Sequence, residues 1–150
     1  LGDVYKRQVF RQAALKALDT LSRNPDGFFL MIEGSNIDKA AHSNNLEEMM
    51  EELLDFDRTA GAVLDWASKH PGTLVVITAD HNTGAFALTG GSREKGEITA
   101  RFGSGSHDGV AVPVYAFGAG SGAFTGIYEN TAIFSKIMDA FKKGAGKPVR

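Results

Sequence analysis

The apolar positions of this chain recur in patterns that separate helices from strands. Over three stretches they repeat every three or four positions, the spacing that lines one face of a helix. The longest stretch starts with acidic residues and closes with Lys69 and His70, which complements the helix macrodipole. The pattern therefore predicts helices over residues 9–23, 46–69 and 131–141.

Three shorter stretches predict strands, at residues 28–33, 73–78 and 112–117. Apolar residues run unbroken from Phe28 to Ile32 and from Leu74 to Ile77, which is typical of strands covered on both faces of a sheet. Pro113 indicates that the third strand lies towards the edge or begins at that residue. The first two flank the long predicted helix, and a strand–helix–strand order implies parallel pairing through a right-handed crossover. Residues 83–105 are rich in Gly, Thr and Ser, which predicts a loop or a small hairpin. The order of elements predicts one α/β domain with a mostly parallel sheet flanked by helices.

Composition narrows the range of partners. The 150 residues are 43% hydrophobic, which suffices for one domain with a substantial core. A formal net charge of −2 provides no basic field for nucleic acid. No run reaches the roughly 18–20 apolar residues of a membrane-spanning helix. Because the chain has no cysteine, any bound metal must be held by histidines and carboxylates.

The start of the sequence carries a separate signal. Leu1 stands where Met is expected, and the six residues from Asp3 to Gln8, DVYKRQ, are what the sequencing-adapter end GATGTGTATAAGAGACAG encodes in frame. We therefore expect residues 1–8 to be an artefact of sequencing. We expect residues 9–150 to be the C-terminal part of a longer protein.

Potential metal ligands lie beside the first two predicted strands and in a glycine-rich loop. A carboxylate and an imidazole four positions apart lie on one side of a helical turn, and the carboxyl ends of parallel strands meet at one sheet edge. Each motif alone is also explained by a solvated helix face, a strand emerging into water or a plain loop histidine. Taken together they predict a metal centre. The candidates are Glu33, Asp38, His42, Asp80, His81 and His107.

Three stretches that contain these candidates carry a family resemblance. GFFLMIEGSNIDKAAHSN, TLVVITADHNTG and SGSHDGVAVPVYAFG closely resemble three metal-binding motifs of the alkaline phosphatases, in the same order and spacing. The match covers nearly all of residues 27–141. The resemblance implies the α/β fold of that family, two Zn²⁺ and one Mg²⁺, and hydrolysis of phosphate monoesters through a Ser or Thr phosphoenzyme. Mapped by motif, Glu33 would bind magnesium, Asp38, His42 and His107 the first zinc, and Asp80 and His81 the second.

The resemblance also implies features outside the metal ligands. Lys39 resembles the lysine that some bacterial members hold near the bound phosphate, although a solvated surface lysine explains it equally well. No segment matches the motif of the nucleophilic Ser or Thr, so we expect the nucleophile upstream and no catalysis by this chain alone. Asn82 and Ala85 differ from many relatives, and we expect them to touch no ligand. The implied substrates are small phosphate esters, the implied compartment is periplasmic or secreted, and the suggested assembly is a homodimer.

Two alternatives stay open beside the phosphomonoesterase. One is a phosphodiesterase, sulfatase or phosphomutase of the same superfamily, since these share the two-metal site and differ in the surrounding pocket. Glu33 favours the monoesterase, because the magnesium ligand is not general among those relatives. The other is a metal-binding domain that has lost its nucleophile. The upstream sequence would distinguish these alternatives.

Overall fold

Four helices and six short strands make up the described part of the chain, which in this computed structural model is residues 2–144, with side chains from residue 9 onward. The helices are α1 (Gly2–Leu21), α2 (Ser35–His42), α3 (Leu46–Ser68) and α4 (Ala132–Lys142), and Ser121–Phe124 forms a 3₁₀ turn. The strands are β1 (Leu74–Thr78), β2 (Asn82–Thr83), β3 (Ala87–Ser92), β4 (Glu97–Arg101), β5 (His107–Asp108) and β6 (Val114–Gly118).

The helix predictions are confirmed, with shifted ends. α3 and α4 differ from the predicted bounds by a single residue at one or both ends, and α1 begins at Gly2 instead of residue 9. Asn45 caps α3: its Oδ1 accepts a hydrogen bond from the Glu48 N–H at 3.2 Å, and its Nδ2 donates to the Glu48 carboxylate at 3.0 Å. This reciprocal pair satisfies a backbone donor that a helix start otherwise leaves open.

The chain divides into two compact units, of which the first comprises residues 2–32, 57–78 and 114–144. Its sheet pairs β1 with β6 in antiparallel register, from Leu74 opposite Gly118 to Thr78 opposite Val114. Pro113 precedes β6 directly, where its missing N–H removes no ladder hydrogen bond.

The predicted strand at residues 28–33 is wrong for this structure. The segment belongs to no strand pair among the described residues, and Phe29 and Met31 are 61% and 77% exposed while Phe28, Leu30 and Ile32 are half-buried. A strand needs a hydrogen-bonded neighbour as well as an apolar sequence, and β1 pairs with β6 instead. The parallel pairing of residues 28–33 with 73–78 is therefore wrong too, since the strand pairs of the described residues are all antiparallel.

The second unit comprises residues 33–56 and 79–113. β2 pairs with β5 over two residues, and β3 with β4 forms the small hairpin expected within residues 83–105. Its core consists of apolar side chains from α2, from the start of α3 and from the segments around the hairpin. These are Ala40, Ala41 and Met49, with Ile37, Leu46, Phe86 and Phe102 packed against them.

The longest described helix, α3, is amphipathic and carries Glu47 and Glu48 in its first turn. Within residues 2–144, no helix has both the length and the apolar character needed to cross a bilayer.

Gly84 allows two backbone segments of the second unit to approach each other. Its φ is +81°, and a Cβ added there would lie 2.8 Å from Phe102 Cδ1 and 3.2 Å from the Ala41 carbonyl oxygen. The Gly84 N–H donates to the Ser106 carbonyl at 2.9 Å, which ties the segment after β2 to the segment before β5. Only glycine combines this positive φ with so little space.

We predict that Gly84→Ala lowers the free energy of unfolding by about 2–4 kcal/mol, because left-handed strain adds to overpacking against Phe102. Chemical denaturation followed by circular dichroism measures the change. Gly109→Ala is the matched control, since a Cβ at Gly109 meets nothing within 4 Å. Equal stability of the two variants would contradict the prediction.

Candidate metal centre

Helix α2 turns its two potential ligands away from the core. At about 100° per residue, Asp38 and His42 lie roughly 40° apart around the helix axis, and Ala40 lies nearly opposite them. Ala40 and Ala41 are buried against Met49, so the apolar face of α2 fixes the direction in which the ligands point. Asp38 and His42 keep 39% of their side-chain surface exposed.

The short ladder between β2 and β5 brings the third candidate ligand, His107, to α2. Thr83 is opposite His107 and Asn82 is opposite Asp108 in antiparallel register. Thr83 is buried and its hydroxyl donates to Asp38, so the residue that pairs with His107 also contacts α2.

Asp38, His42 and His107 converge in this structure. One potential ligand atom from each lies within 4.8 Å of the other two. The His42 and His107 Nε2 atoms are 3.0 Å apart, and the Asp38 carboxylate oxygens lie 3.4 Å from His42 Nε2 and 3.6 Å from His107 Nε2. Within the described residues, no other group of His, Asp and Glu side chains meets this condition with three members.

These spacings fit a zinc ion. Two nitrogens bound to Zn²⁺ at about 2.0–2.1 Å in tetrahedral geometry are about 3.3 Å apart. The observed separations of 3.0, 3.4 and 3.6 Å differ from that value by a few tenths of an ångström. One carboxylate and two imidazoles also match the donor set of a three-ligand catalytic zinc site. The residues present therefore suit this metal.

A backbone carbonyl orients His42. Its Nδ1 lies 2.7 Å from the Gly105 carbonyl oxygen, which only accepts hydrogen bonds. Nδ1 must therefore carry a proton, and in the neutral imidazole the Nε2 lone pair faces Asp38 and His107. Metal-binding histidines are held in this way, by a hydrogen bond from the nitrogen that does not bind the metal.

The Asp38 carboxylate is held in its charged form. The Thr83 hydroxyl donates to Oδ1 at 2.6 Å, and this bond is the largest cause that lowers the pKa of Asp38 below its usual value. Desolvation opposes the shift, while His42, His107 and His81 add to it. An ionised carboxylate is what a cation requires as a ligand.

The other candidates lie in the same unit with different surroundings. His81 stacks on His107 with ring centroids 3.6 Å apart, and its Nε2 is 3.2 Å from the exposed Asp80 carboxylate. Glu33 is exposed and lies outside the three-ligand group. Lys39, one position after Asp38, donates to the Asn36 side chain at 3.2 Å. The metal and phosphate roles of these four residues stay predictions.

A comparison with sequence models of protein families identifies the family of this chain. The sequence model described as "Alkaline phosphatase" matches residues 7–101, which is more than half of the chain. The chain belongs to the alkaline phosphatase family. The predicted family is thereby confirmed.

Individual alkaline phosphatases agree with this assignment. The chain is 43% identical over 90 residues to alkaline phosphatase 4 of Bacillus subtilis, a match that covers 60% of this chain and 19% of the relative. A variant of the alkaline phosphatase of the Antarctic bacterium TAB5, with magnesium bound in its M3 site, is 43% identical with a TM-score of 0.67. That match covers 73% of this chain and 34% of the TAB5 chain.

A second solved structure matches a larger share of this chain than the TAB5 variant does. The cold-active alkaline phosphatase of Shewanella sp. superposes with a TM-score of 0.80 at 25% identity, covering 88% of this chain and 50% of the other. The α/β fold class is thereby confirmed. This chain spans about a fifth to a half of the length of these three alkaline phosphatases.

Sequence reasoning missed the residues that support the candidate ligands of this chain. The Asn82 amide donates to both carboxylate oxygens of Asp108, at 2.9 and 3.1 Å, next to His107. The backbone N–H groups of Ala85 and Val110 donate to the same carboxylate. The hydrogen bond from the Val110 N–H is the largest cause that lowers the pKa of Asp108 below its usual value, and the hydrogen bond from the Asn82 amide is the second. The sequence signal was the Asp that follows His107, because Asn82 and Ala85 lie 26 and 23 positions away from it.

We predict that Asp108→Ala loosens the loop that presents His107. The N–H groups of Ala85 and Val110 lose their acceptor, so we expect their amide hydrogens to exchange faster with solvent. Hydrogen exchange followed by NMR measures the rates. Asp139→Ala is the control, because the Asp139 carboxylate pairs with Lys142 on the exposed surface of α4, which belongs to the other compact unit. Unchanged exchange at both amides would show that Asp108 does not organise the loop.

Proposed function

We propose that the protein containing this chain hydrolyses phosphate monoesters through a Ser or Thr phosphoenzyme, with two Zn²⁺ and one Mg²⁺. The single observation that carries the proposal is the convergence of Asp38, His42 and His107 in the sequence motifs that resemble the metal sites of alkaline phosphatases. The proposed substrates are small phosphate esters. The nucleophile is proposed to lie in a part of the protein outside this chain, since no segment here resembles its motif.

The proposal assigns each candidate to a metal. Asp38, His42 and His107 would hold the first zinc, Asp80 and His81 would contribute to the second, and Glu33 would bind magnesium. The TAB5 variant with magnesium in its M3 site supports a magnesium site in this family. Two bound zinc ions supply Lewis-acid stabilisation of the attacking and leaving oxygens of a phosphoryl transfer.

The chain itself prepares the site for that chemistry. The hydrogen bond from His42 Nδ1 to Gly105 directs the Nε2 lone pair towards the cluster before any ligand arrives. The bond from Thr83 keeps Asp38 ionised, so its negative charge offsets the charge of the metal. Lys39 is proposed to approach the substrate phosphate once its contact with Asn36 is released.

Two further features belong to the proposal by family resemblance, the compartment and the assembly. Members of this family are mostly periplasmic, secreted or surface-anchored, so we place the protein in the periplasm or among secreted proteins. A homodimer is the proposed assembly. Size-exclusion chromatography with light scattering on the full-length protein tests the assembly, and a single-protomer mass would contradict it.

We predict that this chain alone binds about one Zn²⁺, because the first site has three ligands here whereas the second has two and the magnesium site has one. Asp38→Ala and His107→Ala should each lose that zinc, as measured by competition with a chromogenic chelator. His70→Ala is the matched control, since His70 stacks on Trp66 and lies outside the three-ligand group. Zinc retention by His107→Ala would contradict the assignment.

We predict no measurable turnover of 4-nitrophenyl phosphate by this chain, with or without added zinc. The full-length protein should hydrolyse the ester, and Asp38→Ala should lower kcat/KM by at least about 100-fold because metal stabilisation of the transition state is lost. Zinc-dependent turnover by the 150-residue chain would place the nucleophile within it. Full-length protein that binds zinc without turnover would favour the metal-binding domain that has lost its nucleophile.

A further inference from the structure

Thr83 lies between candidate ligands of two different metals. Its side chain is buried, with 7% of the residue exposed. The hydroxyl oxygen is 2.6 Å from Asp38 Oδ1 and 3.2 Å from His81 Nδ1. One hydroxyl thus connects a proposed ligand of the first zinc to a proposed ligand of the second.

The direction of each hydrogen bond follows from counting protons. A threonine hydroxyl has one proton to donate, and an ionised carboxylate can only accept. The short bond to Asp38 therefore uses the hydroxyl proton. The remaining hydroxyl lone pairs can only accept, so the bond to His81 requires a proton on its Nδ1.

The contact between His81 and Asp80 would favour the other tautomer of His81, with the proton on Nε2. Asp80 lies 3.2 Å from Nε2. Its side chain is 86% exposed, however, so water screens its attraction. The bond to Thr83 lies in a part-buried environment, where a hydrogen bond is electrostatically stronger.

We propose that Thr83 is a positioning residue that fixes His81 in the Nδ1–H tautomer and, through the same hydroxyl, holds the Asp38 carboxylate. The His81 Nε2 lone pair then faces Asp80, which places two electron-pair donors 3.2 Å apart and suited to one cation. This metal role rests on the proposed function. The tautomer is a property of the protein and holds without metal.

The place of Thr83 in the fold supports this role. Thr83 is opposite His107 in the β2–β5 ladder, so its backbone position is set by the strand that presents a third ligand. A β-branched side chain on a strand has restricted χ1 rotation, which keeps the hydroxyl between Asp38 and His81. Valine has nearly the same shape without the hydroxyl, and serine keeps the hydroxyl without the methyl group.

The first test is the tautomer of His81 in the metal-free chain. Long-range ¹H–¹⁵N NMR of the imidazoles, at a pH about two units above the ordinary histidine pKa, distinguishes Nδ1–H from Nε2–H. We expect Nδ1–H for His81 in the wild type, a shift towards Nε2–H in Thr83→Val, and Nδ1–H again in Thr83→Ser. His42 is the internal control, because Gly105 holds its tautomer in all three proteins.

An Nε2–H tautomer for His81 in the wild type would overturn the proposal without any variant. An unchanged Nδ1–H tautomer in a folded Thr83→Val protein would overturn it as well. These outcomes do not depend on zinc, so they are separate from any failure of the proposed function.

The second test is zinc affinity, measured by chelator competition. Thr83→Val should bind Zn²⁺ about 10- to 100-fold more weakly than the wild type, the usual effect of losing a hydrogen bond to a metal ligand. Thr83→Ser should recover most of that loss. Thr99→Val, an exposed threonine of β4, is the matched control and should bind as the wild type does. Equal affinity of Thr83→Val and Thr99→Val would overturn the role of Thr83 in holding Asp38.

Discussion

The candidate metal centre depends on a ladder of only two residue pairs. Asn82 and Thr83 pair with Asp108 and His107, and this pairing brings together ligands that are 65 positions apart in sequence. Two backbone pairs alone contribute little stability, so side chains must reinforce them. The Asn82 amide does so by bonding both oxygens of Asp108 across the ladder. Thr83 does so from the other pair, by bonding Asp38 on α2.

The hydrogen bonds behind the ligands prepare the site for a cation before one binds. His42 is oriented by a backbone carbonyl and Asp38 by a buried hydroxyl, so neither must reorganise on metal binding. The two imidazole Nε2 atoms lie 3.0 Å apart, so one of them can donate a proton to the other. A cation bound by both nitrogens would replace that proton. The cluster therefore brings its donor atoms together through contacts that a metal can take over.

Features that depend on neighbouring residues could be predicted from the sequence. Features that depend on residues far apart in the sequence could not. Helices α3 and α4 followed from apolar periodicity, which is a local signal. The candidate ligands followed from motifs of a few residues. The strand at residues 28–33 could not be judged locally, because a strand exists only where another strand pairs with it. Thr83 and Asp108 were missed for the same reason, since their partners lie 45 and 26 positions away.

The extended segment at residues 28–32 has a consequence for the behaviour of this chain in concentrated solution. Its side chains alternate between half-buried and exposed, with Phe29 and Met31 directed outward, and it belongs to no strand pair among the described residues. Backbone groups outside a ladder, next to exposed apolar side chains, form a template on which another chain can add a strand. We therefore expect any self-association of this chain to start at this edge and to rise with protein concentration.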